Sequence, residues 1–336
     1  MKNTKVSDIT TPVKTTKKTT AKSTNLLDID SVRLKIQNSF AGLSFDEESH
    51  TYALNGKQLI STTTYLKRFT DSFNSFHASE AKEKKILRLN PNDKRTARYY
   101  RARWKHLKDE AAIMGTRVHL YAECYPDFDY PSDWREQAVL DFYKWLPSHY
   151  VVLFTELRVY DEETLHAGTV DGLLYNTKTG KLVIYDWKTN ARNINELYKN
   201  KNMKGDFSKL KSTSLNKFSV QLSDYANVIT KNTGFEFEDR WVIWLSQGDV
   251  SKLDADRSDD YTIDQVKPAQ NQPNFKLYKL KDYSAIIEKN YQASIIELKK
   301  EIKPAVVSNG LFSKKDQATT SYKKTKSKKK TLFSKK

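Results

Sequence analysis

Leu165–Asn190, LHAGTVDGLLYNTKTGKLVIYDWKTN, is the stretch from which the rest of the chain can be read. Gly168 to Tyr175 is an apolar run that contains Asp171, and Leu182 to Lys188 is an apolar run that ends Asp186-Trp187-Lys188. Asn176–Lys181, with Thr179-Gly180, has turn composition. The pattern predicts two β-strands joined as a hairpin. Leu-Val-Ile-Tyr belongs inside a sheet, where ionisable groups are costly unless paired or metal-bound. Asp186 and Lys188 are two residues apart and so face one side of a strand, and the hairpin returns Asp171 to their neighbourhood. Two carboxylates and an ammonium at one end of an apolar sheet can hold a divalent cation beside a cationic group. Taken alone, Asp-x-Lys at a strand end is commonplace, and a solvated strand end is the better explanation of it. Its neighbours shift the balance.

The chain has 336 residues, enough for one large domain or two small ones, and a formal charge of +17. Residues 1–25 carry six Lys against one Asp, and residues 313–336 carry ten Lys against one Asp, which leaves +3 for everything between. Two basic tails on a mildly basic body point to a polyanion, nucleic acid first, although Lys-rich tails can also serve solubility alone. Cys124 is the single cysteine, so no intramolecular disulfide, zinc knuckle or four-cysteine cluster can form, and a reducing compartment is expected. No apolar run approaches the roughly 18 residues that span a bilayer, so no membrane association is expected. Residues 1–25 lack an apolar segment of secretory type and read as a disordered basic arm.

Along the body, His50–Leu54 and Lys57–Ile60 flank Asn55-Gly56, a type I′ hairpin pattern, and Ser61 can cap a short helix after it. Ala78 to Arg88 reads as a charged helix. Asn90-Pro91-Asn92-Asp93 breaks the chain and is expected to cap the next helix, about Lys94 to Tyr125. Its first part interleaves Arg98, Arg101 and Arg103 with Tyr99, Tyr100 and Trp104, the mixture of cations and aromatics that a single-strand channel uses. An amphipathic helix with its aromatics in the core reads the same way. In its second part Gly115, His119 and Glu123 are four apart and share a face. A mid-helix Gly costs about 1 kcal/mol against Ala, which is reasonable where the sheet must come close, and His119 would then reach the metal.

A strand carrying Glu156 is expected over Tyr150–Tyr160, a loop or substrate-facing flap over Ala191–Phe218, and an amphipathic helix from Ser219 with Gln221 and Tyr225 on one face. A buried strand over Arg240–Ser246, a surface loop over 248–272, a strand over Phe275–Leu280 and a helix over Tyr283–Ile302 complete the expectation.

Gly115-x-x-x-His119-x-x-x-Glu123, Glu156, Gly168-Thr-Val-Asp171-Gly, Asp186-Trp187-Lys188 and Gln221-x-x-x-Tyr225 stand in the order seen in RecB-type nucleases of the PD-(D/E)XK superfamily. The resemblance spans about residues 111–246. No one motif is specific; the ordered set is. The stretches HTYALNG and NKFSVQLSDYANVITKNTG are more narrowly similar to stand-alone exonuclease-like proteins of phages and large DNA viruses, and the mitochondrial genome maintenance exonuclease is a more distant likeness. Two features depart from relatives: Asp186 stands where many members have Glu, and the cysteines that hold an iron–sulfur cluster in some are absent. With no Walker A sequence, no fused helicase is expected.

The resemblance implies an α/β fold with a restriction-endonuclease-like core: a mixed central β-sheet flanked by helices, here with disordered basic tails. The expected division is an arm at 1–25, a hairpin and basic helical region at 26–110, a nuclease core at 111–303 and a Lys-rich tail at 304–336. It also implies Mg²⁺ or Mn²⁺ held by Asp171, Asp186, the main-chain carbonyl of Trp187 and His119, whose imidazole tilts preference towards Mn²⁺. Lys188 would orient or deprotonate the attacking water, or neutralise phosphoryl charge. Gln221 and Tyr225 would line the site, and Glu156 would support it from outside the ligand set. The expected activity is that of an exonuclease on DNA that is single-stranded or has free ends, in the cytoplasm (of the host, if phage-encoded), with replication or recombination proteins as further partners through the tails. An endonuclease of the same fold, a non-catalytic nucleic-acid binder and a hydrolase of a smaller phosphate ester are the alternatives. The first shares every motif. A pure binder has no use for Asp171, Asp186 and Lys188 together, and a small substrate needs no extended cationic surface.

Overall fold

The apolar alternation of the central hairpin builds a two-sided core. In the computed structural model, which describes residues 28–189, 194, 201–245 and 275–290, the hairpin is β5 (His166–Asn176) and β6 (Lys181–Lys188), antiparallel over Gly172–Asn176. Leu173, Tyr175, Leu182 and Ile184 enter one apolar cluster, with Val32 and Ile36 of α1 (Ile29–Ser39) and Leu222, Tyr225 and Ile229 of α6 (Ser214–Thr233). Leu174, Val183, Tyr185 and Trp187 enter a second, with Val118 and Tyr121 of α4 (Ala97–Glu123) and Val139 and Phe142 of α5 (Trp134–Trp145). Because successive side chains leave a strand on opposite faces, a sheet apolar on both faces needs a helical layer on each, and has one.

The sheet is mixed and open. A meander of β1 (Leu43–Asp46), β2 (Thr51–Leu54) and β3 (Lys57–Ser61) joins β5 through a short parallel pairing of Ile60-Ser61 with His166-Ala167. β4 (Tyr150–Asp161) runs antiparallel along the whole of β5, so β3 and β6 share the other edge of β5. Beyond β6 come β7 (Phe237–Trp244), parallel, and β8 (Lys276–Lys279), antiparallel. α6 makes the crossover that the parallel β6–β7 pair requires.

Local chemistry explains the joints. Asn55 and Gly56 both have positive φ, 51° and 77°, as a type I′ turn needs. Ser61 caps α2 (Thr62–Leu66) by accepting from the Thr64 N–H, and Gly234, at φ 73°, closes α6 in the left-handed region.

Several expectations need correction. The cap of α4 is Thr96, which accepts from the Tyr99 N–H at 3.3 Å, rather than a residue of Asn90–Asp93. α3 (Ser75–Leu89) starts three residues earlier than read, capped by Asn74. A division at residue 110 would cut α4 in two, separate β3 from β5 and remove α1 from the core it helps to fill. The segment expected as a flap is in part anchored: Met203 and Phe207 are buried with Tyr65 and Phe69, and α6 already begins at Ser214. The expected loop over 248–272, most of the last helix and both tails lie outside the described residues; 284–290 are helical. Among the described residues no helix is long and apolar enough to cross a membrane.

Candidate active site

Between Ala167, where β3 leaves, and Gly172, where β6 arrives, the shared edge of β5 carries no strand pairing. Asp171 lies in that gap. Its Oδ2 accepts the main-chain N–H of Trp187 at 2.8 Å, so a side chain takes the place of the next rung of the ladder. The carbonyl of Lys188 accepts from Leu245 on the β7 side. By strand alternation the N–H and C=O of Trp187 are turned the other way, towards Asp171. The Trp187 indole is buried against Phe142 on the α4–α5 face.

Opposite Asp171, between the pairs Thr155–Gly172 and Leu157–Val170, sits Glu156 with φ 53°. A non-glycine residue in this region costs about 1–3 kcal/mol, a cost met mainly at functional sites. The turn directs its carboxylate to α4, where Glu156 Oε1 lies 3.2 Å from His119 Nδ1. His119 Nδ1 is also 3.6 Å from Asp171 Oδ2. One ligand atom from each of His119, Glu156 and Asp171 lies within 4.8 Å of the others, close enough to share an ion. Glu156 thus lies within this cluster of possible ligands, where the resemblance implied a supporting place outside the ligand set. Glu123, one turn past His119, is exposed, and burial and the Glu156 charge raise its pKa.

Asp186 and Lys188 do share a side of β6, and the Lys188 ammonium pairs directly with the Asp186 carboxylate. Asp186 is 3 % exposed. Burial, then the nearby Asp171 charge, push its pKa up to about 7 against the pull of Lys188. Burial opposes the charge on Lys188, but Asp186 and Asp171 outweigh it and raise its pKa above the usual lysine value. Burial likewise works against the His119 imidazolium, yet Asp171 and Glu156 prevail and raise its pKa to about 9. All three shifts are upward, and the Asp171 carboxylate contributes to each of them.

α6 supplies the remaining wall. Lys188 Nζ lies 4.9 Å from the ring centre of Phe218, a residue expected in a loop. Gln221 Nε2 donates to the Tyr225 hydroxyl at 3.4 Å, and burial raises the Tyr225 pKa well above its ordinary value. Tyr225 reaches across the sheet because residue 168 is glycine: a β-carbon there would come within 2.7 Å of the Tyr225 hydroxyl and closer still to its ring. Gly115 differs. A β-carbon on it would meet only Thr189 Oγ1, at 3.8 Å, so the protein's own packing does not demand glycine there.

No protein-family model matches this chain, and no curated protein matches it. The reading therefore rests on the geometry.

The basic half of α4 does not form the expected row. Tyr100 is 1 % exposed, packed between α3 and α4, and cannot stack on a base. Arg98 and Tyr99 are exposed, while Arg101, Arg103 and Trp104 are half-buried. Ala97, Tyr100 and Trp104 recur at helical spacing because they line the face turned to α3.

Proposed function

We propose that this chain is a divalent-metal-dependent deoxyribonuclease with a PD-(D/E)XK-type active site, acting as an exonuclease on DNA with free ends. The observation that carries the reading is the gap in β5: Asp171, Glu156 and His119 converge there, with the buried Asp186–Lys188 pair on the adjoining strand. Carboxylates from two strands converging with an imidazole at a sheet edge are a donor set suited to a cation, and oxygen ligands with one imidazole suit Mg²⁺ or Mn²⁺. His119, Glu156 and Asp171 would hold the ion, with Asp186 and the Trp187 carbonyl beside them. When bound, such an ion polarises a phosphodiester and lowers the pKa of a coordinated water. Lys188, paired with the Asp186 carboxylate, would neutralise charge growing on the phosphoryl oxygens or orient the attacking water. Gln221 and Tyr225 close the site on the α6 side.

The experiment is incubation of the protein with linear duplex, linear single-stranded and circular single-stranded DNA in Mg²⁺, Mn²⁺ or EDTA, beside the Asp186→Ala variant. Cleavage should need a metal and a free end, and Asp186→Ala should lose at least a thousandfold in rate while still binding DNA. Metal-independent cleavage, or an active Asp186→Ala, would sink the reading; efficient cutting of closed circles would make the protein an endonuclease.

A further inference from the structure

The positive charge is concentrated on one helical pair as well as in the tails. Residues 75–108, covering α3, the connecting turn and the first half of α4, carry eleven Lys and Arg against three Asp and Glu, a net +8. At the start of α3 this surface also exposes Phe73 (59 %) and Phe76 (65 %). The Phe73 ring meets Trp104 edge-on with 5.7 Å between centroids. The Arg101 guanidinium lies 4.7 Å from the centre of the Phe76 ring and donates to Ser79 Oγ at 2.8 Å. Two exposed rings are therefore fixed against a ring and a cation one turn apart on α4. Phenylalanine has no polar tip to justify exposure, and a face needed only for solubility would carry the lysines without the rings.

We propose that Phe73, Phe76 and Trp104, backed by Arg101, form a stacking platform for the bases of an unpaired DNA strand. This rests on the nuclease reading of the β5 gap and extends it to a site for the strand leading to that gap. Rings flanked by cations bind single strands, because every base offers a π-face and every phosphate a charge; a duplex hides its base faces within its own stack. Trp104 and His119 lie fifteen residues apart on α4, which is about 22 Å along the axis and about 60° around it. Lys108, Ala111 and Gly115 lie along the same side between them. At about 3.4 Å per stacked nucleotide, six or seven nucleotides connect platform and gap. The strand would pass over Gly115, the one place on this face where a side chain is missing without a packing reason.

The test measures binding by the full chain in EDTA, so that no cleavage intervenes, to a fluorescein-labelled oligo(dT) 20-mer and to a blunt hairpin duplex. The Phe73→Ala/Phe76→Ala double variant should bind oligo(dT) at least roughly tenfold more weakly, since each stacked base contributes about 1–3 kcal/mol, and bind duplex within about twofold of the parent. Its salt slope should be unchanged, because no charge is removed. Phe73→Tyr/Phe76→Tyr should restore affinity, and melting temperatures should stay close because both rings are exposed. Unchanged oligo(dT) affinity in the Ala variant, equal loss on both DNAs, or no binding of oligo(dT) by the parent overturns the platform; the first would return the rings to docking of a protein. The two readings fail separately. Ring-dependent binding by a protein that cleaves nothing under any metal leaves the platform and removes the nuclease, whereas metal-dependent cleavage with ring-independent binding does the reverse.

Discussion

Glu156 holds a left-handed backbone in mid-strand, and what it obtains is a carboxylate on His119. Strain and carboxylate can be separated by two substitutions. Glu156→Ala removes the carboxylate and keeps the strain; Glu156→Gly removes the carboxylate and relaxes the backbone. The Gly variant should therefore be the more stable by about 1 kcal/mol, the reverse of the usual order in a strand, with both impaired in metal binding. Equal stability in urea melts would mean that the turn is not strained. His119 gives a second test. Its folded pKa, about 9, lies above its ordinary 6.5, so it binds more protons folded than unfolded between those values. The stability it adds is fully present below pH 6.5 and is lost as pH rises towards 9. Metal-free protein should lose thermal stability over that window, and His119→Gln should flatten the loss. A parent melting temperature flat from pH 6.5 to 9, or one that rises, would contradict the assignment.

At the scale of elements, the site exists because β3 and β6 split the edge of β5, and glycines set how closely α6 may approach that edge. Gly168→Ala should cost several kcal/mol, because its methyl meets Tyr225 and cannot be relieved without moving α6. Gly115→Ala should cost nothing and add about 1 kcal/mol from helix propensity, since the nearest atom is Thr189 Oγ1 at 3.8 Å. Thermal melts of the two variants give the comparison; a destabilised Gly115→Ala would mean that α4 packs more tightly on β6 than described. The hairpin that frames the gap is legible in the sequence because alternation, a turn and three misplaced charges coincide in 24 residues from Leu165 to Lys188. α5 is not, although Ala138, Val139 and Phe142 carry helical spacing; three buried apolar residues in twelve make a stripe too short to stand out. α1 offers only Val32 and Ile36 as fully buried residues, too few to stand out. Tyr100 misleads because aromatics four apart, as Tyr100 and Trp104 are, mark a packed face as readily as a binding one, and only the position of α3 decides. Sequence alone cannot place Glu156 in the cluster, because its left-handed turn leaves no mark on composition.

Over the whole molecule the question is what the charge does. Removing the +9 of residues 313–336 and the +5 of residues 1–25 leaves +3, and because residues 75–108 hold +8 of that, the remainder is net negative. Within the body the excess positive charge is therefore concentrated in residues 75–108. If the protein binds a polyanion, residues 75–108 would draw it while the carboxylates of the β5 gap would repel it until a cation filled them, which would couple metal occupancy to substrate approach. The tails act differently. Their lysines lie in segments with few apolar residues, so any contribution they make to DNA binding should be uniform across sequences and sensitive to salt. Deleting 313–336 should weaken binding to every DNA tested and lower the log–log salt slope by roughly 0.9 for each duplex phosphate that the tail no longer neutralises, with the rate at saturating DNA unchanged. The Phe73→Ala/Phe76→Ala variant should do the opposite on each count, losing single strands selectively at constant slope. Measured side by side from about 50 to 200 mM salt, the two variants separate charge from stacking. If the truncated chain keeps the parent's slope, its ten lysines do not touch DNA, and the tail's task lies with another protein.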